Sequence, residues 1–272
     1  MNRFVPFEWI AAVRFLKEGR LQTLFIVTGI AIGVAVIVFM SAMLAGLQAN
    51  FIKRVLTSQP QIQLLAPDQV ARPLRGGAGE IETPIIQRPT QRVISIDQWQ
   101  KIQDQMRANS QIVTVSPTVS GSALAIRGDA SRSITLTGMD PALYFQIVRL
   151  PDYIVVGEPR LMSDDIIVGT ELANDLGATV GDKLNVQAAS GSNRILTITG
   201  IVDLGSKGAN QRAAYVLLRT AQSLLNLVGS VTTIDLTVRD IYAAETIAQQ
   251  IRAALPIEAG SWIKNNAQFF TA

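Results

Sequence analysis

The chain has 272 residues, 24 Lys and Arg against 21 Asp and Glu, and neither histidine nor cysteine. Those two absences exclude thiolate and imidazole metal sites, histidine-dependent nucleophiles and any disulfide framework. With 17% charged and 48% hydrophobic residues, the composition also excludes a disordered chain and points to a folded protein with one unusually apolar segment.

Ahead of that segment, Phe7, Ile10, Ala11, Arg14 and Phe15 fall at helical spacing, and Trp9, Arg14 and Lys17 are placed to sit at headgroup level. This pattern predicts an interfacial helix on the cytoplasmic leaflet over residues 1–20, with Gly19 as the elbow; the alternative is the first turns of a longer spanning helix. From Leu24 to Leu47 no charge occurs. At 1.5 Å per residue such a helix reaches about 36 Å, enough for a hydrocarbon core of about 30 Å. The reading is a transmembrane helix over residues 21–50. A core helix is seldom apolar on every face for so long, and the apolar part of a signal peptide is only about 7–15 residues. Arg3, Arg14, Lys17 and Arg20 precede the span, while only Lys53 and Arg54 open its far side. The N-terminus is therefore expected in the cytoplasm and residues from about 51 onward outside it, which in a bacterium with two membranes means the inner membrane and the periplasm. Within the span, Gly29 and Gly33 stand one turn apart, a spacing that lets a neighbouring helix approach closely in lipid. One span alone offers no pore.

Beyond the span, Gln61 to Leu65 alternates as a short strand, and Ala66 to Thr90 is a Pro-, Gly- and Arg-rich arm without a period. Ser95, Asp97 and Gln98 precede Trp99, Ile102 and Met106, which predicts a side-chain-capped helix ending near Asn109. Three strands follow, Ile112 to Val119, Ser122 to Arg127 and Ser133 to Thr137, separated by turns at Gly121 and at Gly128-Asp129. Asp165 to Gly169 leads into a short helix, Thr170 to Leu176, that Gly177 caps in the left-handed conformation. Gly181-Asp182 turns the chain into strand Lys183 to Ala188, and Gly191 precedes strand Arg194 to Val202. Strand Tyr215 to Leu218 and helix Thr220 to Leu227 come next. The tail reads as strand Thr232 to Val238, helix Tyr242 to Ala254 and strand Ile257 to Trp262. Two β-α-β halves flanking a strand-rich insert predict a discontinuous α+β domain: residues 51–136 and 220–272 as its halves and 137–219 as the inserted β-rich part.

Residues 1–55 carry a net charge of +4 and residues 56–272 a net of −1, so the basic character belongs to the membrane end and no phosphate-holding face is expected; nucleic acid is excluded as a partner. Gly205 to Gly208 lacks P-loop spacing. Asp164-Asp165 reads as a solvated pair before a strand, and Ser190 has no base to activate it. The expectation is no enzyme, no cofactor and no metal.

Four stretches resemble the FtsX-like, MacB-type permeases of ABC transporters, a family that includes the lipoprotein-releasing permeases. They are the elbow and first span from Phe7 to Leu44; Gly46 to Leu65; the block IIVGTELANDLGATVGDKLNV with ITGIVDLG and YVLLRTAQSLL; and SWIKNNAQFF. The resemblance implies a porter-like periplasmic domain with a β-rich insertion, a separate cytoplasmic ABC ATPase, a second permease copy, and three further spans after Ala272, so that this chain is expected to be a fragment. Carrier-recruiting members have a protruding hairpin whose place here corresponds to Gln187 to Arg194, a short segment without an apolar anchor. This departure favours export through a periplasmic adaptor and an outer-membrane channel. The alternatives are lipoprotein release and a single-span periplasmic sensor or structural protein.

Overall fold

In a computed structural model, Phe7, Trp9, Ala11, Arg14 and residues 20–67 and 94–267 are described. The chain divides into two units, Met1–Arg54 and Val55–Ala272.

The described residues of the first unit are helical. Phe7, Trp9, Ala11 and Arg14 have helical backbone; Ile10, Phe15, Lys17 and Gly19 lie outside the described residues. Helix α1, Arg20–Ser58, extends past the expected end of the span at residue 50. Its apolar stretch Leu21–Leu47 is long and apolar enough to cross a bilayer, and none of it is buried by protein. A helix apolar all round with no protein cover has lipid as its natural solvent.

Among its described residues the second unit contains ten strands, ordered β10-β1-β9-β2-β3-β8-β5-β7-β4, with β6 joining both β2 and β7. Its first part is a four-stranded antiparallel sheet of β1 (Ile62–Leu65), β2 (Ile112–Arg127), β9 (Thr233–Val238) and β10 (Glu258–Ser261). Helix α2 (Trp99–Ala108) packs on β2, and α7 (Ala244–Ala254) on β10 and β1. Strand, helix, strand, then strand, helix, strand with the central pair β1 and β9 is the split β-α-β arrangement, in which β1, α2 and β2 join β9, α7 and β10 in one sheet. The reason lies in the alternation: Ile62, Leu236 and Val115 share one face and are buried. The helices supply Met106, Ile247, Ala248 and Ile251 to the same core. At the start of α7, Glu245 accepts hydrogen bonds from Arg252, Gln249 and Ser261, tying the helix to β10. Burial acts to raise the Glu245 carboxyl, but these bonds outweigh it and hold the group below its usual range.

The second part is a barrel. The outer half of β2, β3 (Ala130–Met139), β8 (Ala213–Leu217), β5 (Asp165–Gly169), β7 (Asn193–Val202) and β6 (Lys183–Ala188) pair in a ring, because β6 hydrogen-bonds to β7 on one side and to Ala123–Ile126 of β2 on the other. Closure removes the open edges that a free sheet would expose. β4 (Ile154–Gly157) hangs on β7 outside the ring. The described residues of the unit also form the short helices α3 (Pro141–Ile147), α4 (Thr170–Asp175), α5 (Lys207–Asn210), α6 (Leu218–Leu224) and α8 (Trp262–Asn265).

Three expectations need correction. Ile112 to Val119 and Ser122 to Arg127 are one strand, and Gly121 is no turn: a Cβ there would lie 2.9 Å from the Leu225 side chain, so the glycine makes room for packing. α2 has no side-chain cap; it starts from Gln98 at φ 53°, and Asp97 instead accepts from Ser230 Oγ at 2.7 Å. The helix expected over Tyr242 to Ala254 is α7, Ala244–Ala254, preceded by a single 3-10 turn, Ile241–Ala243. Gly177 caps α4 at φ +57° as expected, with Ala178 N–H donating back to Ala173 O.

Gly138 of β3 faces α6 so closely that a Cβ would fall 2.2 Å from the Ala221 Cβ. Gly138→Ala is expected to cost about 1–3 kcal/mol in chemical unfolding, and adding Ala221→Gly to recover part of the loss; a neutral Gly138→Ala would show that α6 does not sit against this strand.

Candidate functional site

The second face of the four-stranded sheet is polar, and it carries the most unusual chemistry among the described residues. Register places Gln63, Asp235 and Ser116 side by side across β1, β9 and β2, with Thr118 opposite Thr233 in the next row. Asp235 is 3% exposed and Ser116 fully buried. Gln63 Nε2 donates to Asp235 Oδ1 at 3.2 Å and Thr118 Oγ1 to Oδ2 at 3.2 Å. The Ser116 hydroxyl, buried beside them, has no hydrogen-bond partner.

Helix α3 covers this row. Asp140 caps it by accepting from Ala142 N–H at 3.0 Å, and Pro141 occupies the first turn, the residue pair that starts helices most readily. It packs on β2 and β9. Thr114 Oγ1 donates to Gln146 Oε1 at 3.3 Å, and Tyr144 stands near enough to Asp235 to feel its charge.

Removal from water dominates the electrostatics. Burial pushes the Asp235 carboxyl up to about 6, the hydrogen bonds from Gln63 and Thr118 opposing it. Burial likewise pushes Tyr215 up to about 12 and, joined by the charges of Asp235 and Tyr215, raises Tyr144 well above a phenol's usual value. Both phenols stay neutral through the physiological range. Among the described residues, no ion pair involves Asp235.

The pair Asp164-Asp165, expected to be solvated, is split: Asp164 is exposed and Asp165 is buried. Asp164 pairs with Arg194 at 2.8 Å on the surface, while Asp165 pairs with Arg160 at 3.3 Å and accepts from Met162 N–H. Ser190 Oγ donates to Leu224 O at 2.8 Å, fastening the β6–β7 turn. That turn is short: Gln187 pairs with Asn193, and Gly191 sits at φ +85°. No group of three or more Asp or Glu able to hold a metal occurs among the described residues.

Of the residues singled out for membrane contact, Phe7 is 80% and Trp9 67% exposed, and Arg14 is exposed; Lys17 falls outside the described residues. Gly29 and Gly33 each have open space where a side chain would stand. The polar row and α3 escaped the sequence reading. Two signals carried them: the Asp140-Pro141 start signature, and a carboxylate at the centre of the alternating strand TIDLTV.

The MacB-like periplasmic core domain family matches residues 23–254, which covers most of α1 and nearly all of the two-part domain. The chain belongs to that family, and with it to the MacB/FtsX-like permeases. It is 21% identical over 237 residues to LolE, a lipoprotein-releasing system transmembrane protein of Haemophilus influenzae, covering 82% of this chain and 51% of that protein. An uncharacterized ABC transporter permease protein of Mycobacterium tuberculosis is 23% identical over 163 residues, 57% of this chain and 19% of the relative. The chain thus spans about half, or less, of the length of these relatives. The periplasmic region of MacB from Actinobacillus actinomycetemcomitans has the same fold, with a TM-score of 0.50 at 13% identity over 80% of this chain and 96% of that one.

The raised Asp235 carboxyl has a definite sign in stability. The native state holds the proton more tightly than the unfolded chain, so its contribution is complete below about pH 4 and is lost as pH rises towards 6. Asp235→Asn is expected to stabilise the protein by on the order of 2 kcal/mol at pH 7.5 and by little at pH 4, read from unfolding midpoints at the two pH values.

Proposed function

We propose that this chain is the first span and extracytoplasmic domain of an ABC-transporter permease subunit. The observation that supports it most is a single family match running from within the apolar helix to the end of α7. The parts suit a mechanical transmitter. A lipid-facing helix holds the chain in the membrane, and a domain with no catalytic constellation among its described residues offers two subdomains joined through a shared strand. A separate cytoplasmic ATPase supplies the work, and a second permease copy completes the unit. Gly29 and Gly33 provide the close helix contact within the bilayer, and Phe7, Trp9, Arg14 and Lys17 anchor the leading segment at the cytoplasmic interface.

The positive residues before the span orient the N-terminus to the cytoplasm of the inner membrane, which leaves the two-part domain in the periplasm. There it drives export of a substrate through a periplasmic adaptor and an outer-membrane channel. The short β6–β7 turn supports this over recruitment of a soluble carrier. The similarity to LolE supports a second reading, extraction of lipoproteins from the inner membrane.

The chain lacks cysteine, so single-cysteine variants report topology cleanly. With a membrane-impermeant maleimide on intact spheroplasts, Asp129→Cys should label and Asn2→Cys only after lysis; the reverse pattern overturns the orientation. Purified in mild detergent with its natural continuation, the protein should bring down a P-loop ATPase, and repeated purification without one sinks the permease reading. An adaptor bound to the purified domain supports export, whereas a bound lipoprotein supports extraction.

A further inference from the structure

Helix α3 touches two parts of the domain at once. On one side it lies on the polar face of the four-stranded sheet, with Gln146 bonded to Thr114 and Tyr144 facing Asp235. On the other, Tyr144 and Phe145 pack on the barrel-side cluster of Met139, Leu150, Leu161, Ile167 and Val202, where Tyr144 also meets Tyr215 of β8. It is both the lid over a buried carboxyl and a strut between sheet and barrel.

The sheet side accommodates either proton state without rearranging. Thr118 has one hydroxyl proton and lies within reach of Asp235 Oδ2, Thr233 Oγ1 and Thr233 O. With Asp235 ionised, Thr233 donates to Thr118 and Thr118 donates to the carboxylate. With Asp235 protonated, the carboxyl donates to Thr118, whose own proton turns to Thr233. Gln63 donates to Oδ1 in both cases. What differs is the charge beneath α3.

The groups facing that charge do not compensate it. β1 presents Gln63, β2 presents Ser116 and Thr118, and β9 itself presents Thr233, none of them titratable. From α3 comes the neutral phenol of Tyr144, with the equally neutral Tyr215 behind it. A carboxylate so enclosed gains most from hydration. The strands on either side are held by their ladders, so water enters by displacing α3, a helix of seven residues that cannot persist without its packing.

We propose that α3 is a proton-controlled latch, closed over protonated Asp235 so that it clamps the barrel to the sheet, and loosened when Asp235 ionises so that the two parts move more freely. The burial that lifts the carboxyl to about 6 sets the working range between mildly acidic and neutral conditions.

Hydrogen exchange on the whole chain in detergent micelles, corrected for intrinsic exchange rates, tests the latch. Between about pH 5 and pH 7.5 the backbone amides of Tyr144 and Val148, which close the two ends of α3, should lose protection at least tenfold, while those of α7 hold. Asp235→Asn should keep α3 protected at both pH values. Thr118→Val, which removes a donor to the carboxylate, should move the midpoint to higher pH. Equal protection of α3 at both pH values, a loss that survives in Asp235→Asn, or a midpoint unmoved by Thr118→Val overturns the proposal.

Discussion

The architecture of the second unit hangs on one strand, β2. Over Ile112 to Thr118 it is an outer strand of the four-stranded sheet, bonded to β9, and from Thr118 to Arg127 it pairs with β3, with β6 closing on its Ala123–Ile126 stretch. Two subdomains with separate cores therefore share a continuous backbone ladder. Thr118 is the crossing point, since it pairs with Thr233 on one side and with Met139 on the other. Movement of the barrel against the sheet must pass through this residue's neighbourhood or bend the strand that contains it.

That neighbourhood is where the polar row lies. Most of the domain follows the ordinary rule that strand faces turned inward are apolar: Ala123, Ala125, Ile134, Leu184, Val186, Leu196 and Ile198 fill the barrel. On the sheet's second face the rule is broken, and Asp235, Ser116, Thr114 and Thr118 are buried instead. A fully apolar seam would weld α3 to the sheet. A polar one carries the Thr114–Gln146 hydrogen bond to α3 above a carboxyl bonded within the sheet to Gln63 and Thr118, and polar groups so placed are costlier to bury than apolar ones.

The membrane helix obeys a different logic. Its apolar residues from Leu21 to Leu47 are left uncovered by the described residues of the chain, which suits a helix surrounded by lipid. The match to the MacB-like family begins within this helix, at residue 23. With β6 and β7 joined by a tight turn, the barrel presents no long arm there.

Much of this was legible in the residues because it is local. The span needs only an unbroken apolar run. The Gly177 cap needs only a left-handed position after a short helix, and the strands Lys183 to Ala188 and Asp165 to Gly169 follow from alternation and turns. Side-chain identity dictates such features within a few neighbours. Gly121 was misread for the same reason: glycine signals a turn locally, whereas here it admits Leu225, a residue more than a hundred positions away. Closure of the barrel through β6, the joining of two distant β-α-β halves, and the meeting of Asp235 with Tyr144 arise from contacts between segments far apart in the chain. Nothing in TIDLTV says whether its aspartate faces water or the underside of a helix. Only the packed fold removes that carboxyl from solvent, and desolvation, absent from any stretch of sequence, is what alters its chemistry.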